Sequence, residues 1–317
     1  MAFKGTRIPV SEELVEKAIA HYQEHGSLKK ASALVGIHWD TLRKKIKARG
    51  IDTPRKVLKK EQTLRPLRVV YFTDPHDRIE WDKHRFRWLS CFVAERKPDV
   101  LICGGDVFDV DSLNKHVKNE SGEGKLKPAF EAELASLAEA LREIDRHLPA
   151  SLKKYITLGN HEKRIWRYEN DNPEVCGMLS SAFICLLEQH GWLVTPFKEY
   201  LNIGGVEFTH VPISALGKEI GGKGANMRIA TDSIADIVYG HTHNRHDASA
   251  PKLGPDNRHT RAYNGGCFMP NNARMDYAKA SQNHWEYGLT VINIYGGRIE
   301  ATEWVSMAQL ERDYGED

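Results

Sequence analysis

Asp74-Pro-His76, Gly105-Asp106-Val-Phe-Asp109, Gly159-Asn160-His161-Glu162, Thr209-His210 and Gly240-His241-Thr-His243 are the stretches of this 317-residue sequence in which carboxylates, an amide and imidazoles gather. Hard oxygen donors mixed with imidazoles suit Mn²⁺, Fe or Zn²⁺ and do not suit a thiolate site. The donors suffice for two ions bridged by one carboxylate, about 3.5–4 Å apart, an arrangement that holds a phosphate and makes hydroxide at neutral pH. Any one of these histidines alone reads as an ordinary surface or core residue. Five such motifs in succession point to a site.

The elements that must position them follow from the hydrophobic pattern. Arg68–Thr73, Val100–Cys103 and Tyr155–Leu158 are short apolar runs that predict buried strands, while His84–Arg96, Phe130–Leu148 and Val175–Gln189 carry helical spacing. The chain then becomes strand-rich, with Tyr200–Ile203 and Val206–Thr209 around Gly204-Gly205, Asp236–Tyr239, Arg261–Tyr263, and Leu289–Tyr295 and Arg298–Trp304 around Gly296-Gly297. Each Gly-Gly pair predicts a hairpin turn. Strand and helix alternating in this way predict a sheet covered by helices on both faces. Each polar motif follows a predicted strand, at the carboxyl end where ligands bind in open α/β sheets.

In order and in spacing, Asp74-x-His76, Gly105-Asp106-x-x-Asp109, Gly159-Asn160-His161-Glu162, His210 and Gly240-His241-x-His243 resemble the calcineurin-like metallophosphoesterase superfamily, over roughly residues 67–300. The resemblance implies a four-layer α/β/β/α sandwich and two divalent metal ions, with Mn²⁺ favoured and Fe, Zn²⁺ or Mg²⁺ as alternatives. Carried over, one ion falls to Asp74, His76, Asp106 and His243, and the second to Asp106, Asn160, His210 and His241, with Asp106 as bridge. His161 resembles the residue that faces the scissile phosphate and protonates the leaving oxygen or stabilises its charge. Asp109 resembles the carboxylate that holds that histidine, and Glu162 a support of the loop. In this family the nucleophile is a hydroxide generated at the metals. The protein serine/threonine phosphatase branch continues the second motif with an arginine; Val110 stands there in this chain and counts against that branch. Tyr263-Asn264-Gly-Gly resembles a supporting turn.

The loop after the third motif, Lys163-Arg164-Ile-Trp-Arg167-Tyr, offers Arg164 and Arg167 for phosphates and aromatic rings for stacking, or else an exposed cationic helix start packed by Trp166. Lys218, Lys223 and Arg228, in a Gly-rich stretch, read as phosphate contacts or as decoration of a loop.

The 45 Lys+Arg and 43 Asp+Glu nearly cancel over the chain, but residues 1–68 carry +9 and the rest −7. Such a basic head reads as a nucleic-acid-facing module or as a solvated tail. Within it, Ser11 predicts the N-cap of a helix with Leu14, Ala18 and Tyr22 on one face, flanked by Val15 and Ile19. Ser27 predicts the cap of a second helix ending at Gly36, and a third helix starts near Asp40 with Leu42 and Ile46 inward. The stretch Ser27–Lys47 resembles the helix-turn-helix of the Fis and Psq type. That resemblance places Thr41, Arg43, Lys44, Lys45 and Lys47 toward DNA, and such modules gain from forming a homodimer. A bundle for oligomerisation or protein docking is the other reading. Domains are accordingly expected at 1–50 (helix-turn-helix), 51–66 (a basic linker with Pro54 and Pro66) and 67–317 (phosphoesterase body).

The composition, 41% hydrophobic and 28% charged, excludes a collagen, a disulfide-stapled miniature and a disordered chain. No apolar run reaches the roughly 20 residues that cross a membrane, and no secretory signal opens the sequence. Five cysteines without a C-x-x-C pair predict free thiols in a reducing cytoplasm. The favoured function is a two-metal phosphodiesterase acting on DNA, similar to the repair-exonuclease branch found among bacterial and phage proteins. The alternatives are a phosphomonoesterase or cyclic-nucleotide phosphodiesterase with a localising head, and a DNA-binding regulator with a relic body.

Overall fold

The structure, a computed structural model, describes residues 11–25, 31–32, 35, 39–49, 65–115, 126–222, 224–254, 258–271, 273–275 and 282–315. The chain divides into two compact units, residues 1–59 and 60–317, taken here in turn.

In the first unit the described helices are α1 (Glu12–His25) and α2 (Trp39–Ala48). The Ser11 hydroxyl accepts the Leu14 N–H at 3.4 Å, as its capping position demands. Val15, Ala18, Ile19 and Tyr22 of α1 pack with Ala31 and with Leu42 and Ile46 of α2 in a small apolar core. Leu14 alone of the predicted face is exposed, and Ala18 and Tyr22 with the flanking Val15 and Ile19 are buried as expected. Arg49 reaches back from the end of α2 to Glu12 (2.5 Å) and Glu16 (3.0 Å), and Lys45 reaches to Glu12 (3.5 Å). Arg43, Lys44 and Lys47 are exposed. Of the second helix and turn expected between Ser27 and His38, residues 31, 32 and 35 are described and are helical, with Ala31 in that core; the rest of that stretch, the side chain of Thr41 and most of the expected linker (51–64) lie outside the described residues. At the linker's end Arg65 pairs with Asp99 at 2.6 Å.

The second unit is built on two sheets. The first runs in the order β11-β10-β1-β2-β3-β4, with β1 (Leu67–Phe72), β2 (Val100–Cys103), β3 (Lys153–Thr157) and β4 (Trp192–Thr195) parallel, and β10 (Gly288–Tyr295) and β11 (Arg298–Ser306) antiparallel at one edge. The second runs β5-β6-β7-β9-β8, from β5 (Leu201–Ile203), β6 (Val206–Phe208), β7 (Ile237–Tyr239), β8 (Arg245–Pro251) and β9 (His259–Gly265), with β6, β7 and β9 parallel.

Period-two alternation sorts the central strands between two cores. Val70 and Phe72 of β1 and Leu101 and Cys103 of β2 face a core with helices α3 (His84–Arg96), α4 (Phe130–Asp145), α5 (Lys163–Asp171), α6 (Met178–Gln189) and α8 (Met307–Tyr314). Val69, Tyr71, Val100 and Ile102 face the other way and meet Ile203, Val206, Phe208, Val238 and Tyr263 of the second sheet. Helix α7 (Ala225–Asp232) covers the far side of that sheet through Ile229 and Ala230. The layers are therefore helix, sheet, sheet, helix, as the family resemblance implied. Both Gly-Gly pairs are two-residue hairpin turns with all four φ values positive. A Cβ on Gly205 would collide with the backbone of Gly297, so the two turns, one from each sheet, rest on each other.

Five elements escape the hydrophobic pattern. Strand β8, Arg-His-Asp-Ala-Ser-Ala-Pro, is an edge strand exposed along most of its length, so it carries no apolar alternation. Strand β4 has four residues, and α5, α7 and α8 have eight or nine. Such short elements give too few turns for a period to show. The helix expected from Val175 begins at Met178, after a turn at Pro173–Val175, and the one expected to reach Leu148 ends at Asp145. Phe208 is fully buried between the sheets, with its ring 5.9 Å from that of Tyr71. Phe208→Ala is expected to lower stability by about 3–5 kcal/mol in a urea unfolding curve, because both sheets lose the same contact.

Candidate active site

The motifs leave the carboxyl ends of parallel strands in both sheets. Asp74 and His76 follow β1, Asp106 and Asp109 follow β2, and Asn160 and His161 follow β3; His210 follows β6, and His241 and His243 follow β7. Asp74, His76, Asp106, His241 and His243 all stand at positive φ, between 44° and 72°. Outside glycine that region costs roughly 1–3 kcal/mol per residue and persists only where the surroundings hold it. Here the hold is a lattice of backbone hydrogen bonds. The Asp74 N–H donates to the Gly105 carbonyl (3.0 Å), the His76 N–H to that of Asp106 (3.0 Å), and the His241 N–H to the Asp74 carboxylate (3.0 Å).

Glu162 fastens the same loops from below. Its fully buried carboxylate accepts the N–H groups of Val107 (2.6 Å), Gly159 (2.6 Å) and Asp106 (3.1 Å). Burial, with the Asp106 charge nearby, raises its pKa. A Cβ on Gly159 would overlap the Asp106 carboxylate, which explains the glycine before Asn160. On the outer side, a buried network of Asp77 with Lys83 (2.9 Å), Arg85 (3.1 Å) and Ser136 (2.8 Å) anchors the loop after His76 to α3 and α4.

The seven expected ligands converge in two groups. In one, His243 Nε2 lies 3.1 Å from Asp74 Oδ1 and 3.1 Å from His76 Nε2. In the other, Asn160 Oδ1 lies 3.0 Å from His210 Nε2 and 2.8 Å from His241 Nδ1. The Asp106 carboxylate stands between them, with Oδ2 3.3 Å from His210 Nε2 and 3.8 Å from His76 Nε2.

Tautomers decide what this arrangement can hold. His210 Nδ1 faces the Gly104 carbonyl at 2.9 Å, so it carries the proton, and Nε2 turns its lone pair toward the oxygens of Asn160 and Asp106. His76 Nδ1 donates likewise to Asp109 (2.7 Å), which turns Nε2 toward His243, Asp74 and Asp106. Each Nε2 thus faces acceptors across a gap that a cation fills, a proton in the metal-free protein and a divalent ion when metal is bound, and a ring fixed through its other nitrogen is the usual support of a metal-bound histidine. The donor chemistry therefore fits two divalent cations. The charges respond accordingly. Burial opposes protonation of His76, but Asp109 lifts its pKa to about 9; burial opposes that of His210, but Asp106 lifts it to about 10. Burial alone would raise Asp74, yet His243 brings it down to about 2.

His161 is buried beside this cluster. Its backbone N–H donates to Asp106 Oδ1 (2.8 Å) and its Nδ1 to the carbonyl oxygen of Asp109 (2.9 Å). The Asp109 carboxylate lies 3.3 Å from His161 Nδ1 and closer, 2.7 Å, to His76 Nδ1, so the residue expected to hold His161 is shared with a candidate ligand. Arg164, on α5, donates to the Asp109 carbonyl (2.6 Å) and lies 3.4 Å from His161 Nε2. Arg167 and Lys218 are exposed, Arg228 pairs with Asp232 on its own helix, and Lys223 lies outside the described residues. Trp166 and Tyr168 pack against the helix-side core, Trp166 edge-on to Phe183, so the expected stacking aromatics face inward. Asn264 donates to the Gly240 carbonyl (3.2 Å) and the Thr242 hydroxyl (2.6 Å), supporting the last motif as expected of that turn.

A cavity of about 400 Å³ opens over His76, Asp106, Asn160, His161, His241 and His243. Its remaining walls are Thr242, Asn244, His284 and Trp285. Sequence reasoning missed these four. Thr242 and Asn244 lie within and directly after the last motif, but His284 and Trp285 belong to a segment with no pattern and reach the site only through folding.

Residues 67–245, more than half of the chain, match the family described as calcineurin-like phosphoesterase. The chain belongs to this family. A solved structure from Streptococcus pneumoniae TIGR4, described as a conserved uncharacterized protein and predicted phosphoesterase, is similar at 11% identity, with a TM-score of 0.32, over 77% of this chain and 91% of its own. No curated protein matches. A calcineurin-like phosphoesterase is a metal-dependent phosphoester hydrolase, and the clusters Asp74–His76–His243 and Asp106–His210–His241 are candidate sites for its metals. Among the described residues no helix is long and apolar enough to cross a membrane, and the five cysteines are free.

Two outcomes follow. Glu162→Gln sets an amide N–H against backbone N–H groups, and is expected to weaken Mn²⁺ binding by about 10–100-fold in a calorimetric titration. The second concerns pH. His76 and His210 have folded pKa values above the roughly 6.5 of an unfolded histidine, so in metal-free protein their stabilisation is complete below that pH and lost as pH rises through about 9 and about 10. Asp74, at about 2, contributes a constant amount over that window. Metal competes with those protons. The rise in Tm on adding Mn²⁺ is therefore expected to be larger at pH 8.5 than at pH 6.5 (~2 units apart, by the linkage above), and an equal rise at both would contradict this site.

Proposed function

We propose that this protein is a two-metal phosphodiesterase acting on DNA, as a nuclease or end-processing enzyme, with its basic N-terminal unit as the DNA-binding element. The observation that carries the reading is the convergence of Asp74, His76, Asp106, Asn160, His210, His241 and His243 around one shared carboxylate, with His161 and Arg164 at the edge. A family member hydrolysing phosphoesters needs that set. The DNA substrate is favoured by the exposed Arg43, Lys44 and Lys47 of α2, because a basic module raises the local concentration of polynucleotide. Mn²⁺ is the favoured metal, the cytoplasm the favoured setting, and a homodimer the form in which a small helical module binds DNA best.

Divalent ions held by Asp74, His76 and His243 and by Asp106, His210 and His241 would supply Lewis acidity toward the phosphoryl oxygens and lower the pKa of a water. The chain's own groups do the rest. Asp106 holds the two clusters in register through its single carboxylate. His161, with Nδ1–H fixed on the Asp109 carbonyl, lines the cavity and delivers a proton from Nε2 to the leaving oxygen. Arg164 sets a guanidinium beside the same nitrogen, where it neutralises a phosphate oxygen.

A DNA oligonucleotide with a labelled 5′-phosphate, incubated with Mn²⁺, is expected to yield labelled nucleotides or shortened labelled strands. His161→Ala is expected to slow this by roughly 10²–10⁴-fold with metal content retained. Labelled inorganic phosphate as sole product would make the protein a phosphomonoesterase instead. Arg43→Gln with Lys47→Gln is expected to weaken DNA binding and flatten its salt dependence by about one unit of slope per lost phosphate contact, leaving turnover of a small phosphodiester unchanged.

A further inference from the structure

The cavity has two unlike sides. One is the ligand cluster with His161. The other, Thr242, Asn244, His284 and Trp285, contains no lysine or arginine among the described residues. Its groups are those that grip a planar polar ring. Trp285 is half-buried, with one side packed on the cluster of Cys267, Met269 and Met275, and its ring centroid lies 4.3 Å from that of His243. It is held in place by backbone bonds on either side: its own N–H donates to the Gln282 carbonyl (3.1 Å), and the Glu286 N–H donates to that of His243 (3.0 Å). The Thr242 hydroxyl accepts from Asn264 and keeps its own proton to donate. The Asn244 amide, oriented so that its nitrogen donates to the carbonyls of Thr242 (3.2 Å) and His284 (2.9 Å), carries an oxygen with two acceptor lone pairs on its other side.

We propose that Trp285, with Thr242 and Asn244, forms a nucleoside subsite beside the metal cluster, selecting esters in which the scissile phosphate carries a nucleoside. The inference rests on the phosphodiesterase reading and narrows it. Stacking on an aromatic face is tolerant of base identity, while one donor and one acceptor meet the polar edge that every base presents. A volume near 400 Å³ lies at the small end of ligand pockets and accommodates one nucleotide, not a duplex. The terminal nucleoside of a strand and a free nucleotide share this chemistry. In both, the phosphate sits on the cluster and the base lies against the indole.

The test compares binding of thymidine 5′-monophosphate and of methyl phosphate to the Mn²⁺-loaded full chain by calorimetry, alongside hydrolysis of a labelled oligonucleotide. The nucleotide is expected to bind more tightly than methyl phosphate. Trp285→Ala is expected to weaken the nucleotide about 5- to 150-fold, with methyl phosphate and bound Mn²⁺ unchanged. Trp285→Phe, which keeps a ring and the packing, is expected to retain most of the preference, and serves alone if the alanine variant does not fold. Equal affinity of the wild type for both ligands would overturn the subsite, and so would an equal loss for both in Trp285→Ala, which would make Trp285 a prop for His243. A nucleotide preference that depends on Trp285, without oligonucleotide cleavage, would keep the subsite, assign it to free nucleotides, and refute only the DNA substrate.

Discussion

Asp106 stands where two groups of imidazole and oxygen donors meet, and its carboxylate reaches a histidine of each. Bringing so many lone pairs into a buried space is unfavourable unless each is aimed and each charge is answered. The fold around it reads as the apparatus for doing this. Glu162 ties the backbones of Asp106, Val107 and Gly159 to one carboxylate, Gly159 leaves room for the Asp106 side chain, and the carbonyl of Gly104 and the carboxylate of Asp109 fix the rings of His210 and His76. Without that aiming, the same residues would be a set of mutually repelling acceptors.

The five left-handed residues at the site follow from the same demand. A strand that ends in an ordinary turn carries its next side chains away from the sheet edge; the left-handed conformation at Asp74, His76, Asp106, His241 and His243 bends the chain sharply enough to point them back over it. The cost is borne by what lies beneath: two sheets sharing one apolar interface and a helix-side core in which β1 and β2 are buried on both faces. Rigid strands on both sides let loops from five strands meet in one place. The buried Asp77–Lys83–Arg85–Ser136 network serves the same end from outside, since it fixes the residue directly after His76 to two helices.

Asp109 and Arg164 show how closely the acid and metal functions are joined. One carboxylate reaches both His76 and His161, and one carbonyl, that of Asp109, accepts from both His161 and Arg164. A change at Asp109 therefore acts on metal affinity and on proton delivery together, a coupling hidden by assigning it to one histidine. Helix α5 carries its cation toward the cavity and its aromatic residues toward the core. Its amphipathic division is the reason Arg164 reaches the site while Trp166 and Tyr168 do not.

What the sequence by itself determined is the local part of this protein. The apolar runs of β1 and β2, the two Gly-Gly hairpins, the capped α1 and the succession of ligand-bearing motifs depend on neighbours within a few residues, and these were all legible. Glu162 was visible beside Asn160, though its triple hold on the backbone was not. Where one element's placement depends on another, the pattern was silent: the polar edge strand β8 takes its position from β9, the short helices α5, α7 and α8 take theirs from the surfaces they cover, and the exposure of Leu14 at the edge of the α1 face depends on how α1 packs on α2. Only the tertiary structure decided that Asp109 is shared by two histidines and that Trp285 and His284, some forty residues beyond the last motif, wall the cavity. The physical reason is that sequence periodicity records the environment of a chain along its own axis, whereas an active site is made by strands from two sheets ending at a common edge.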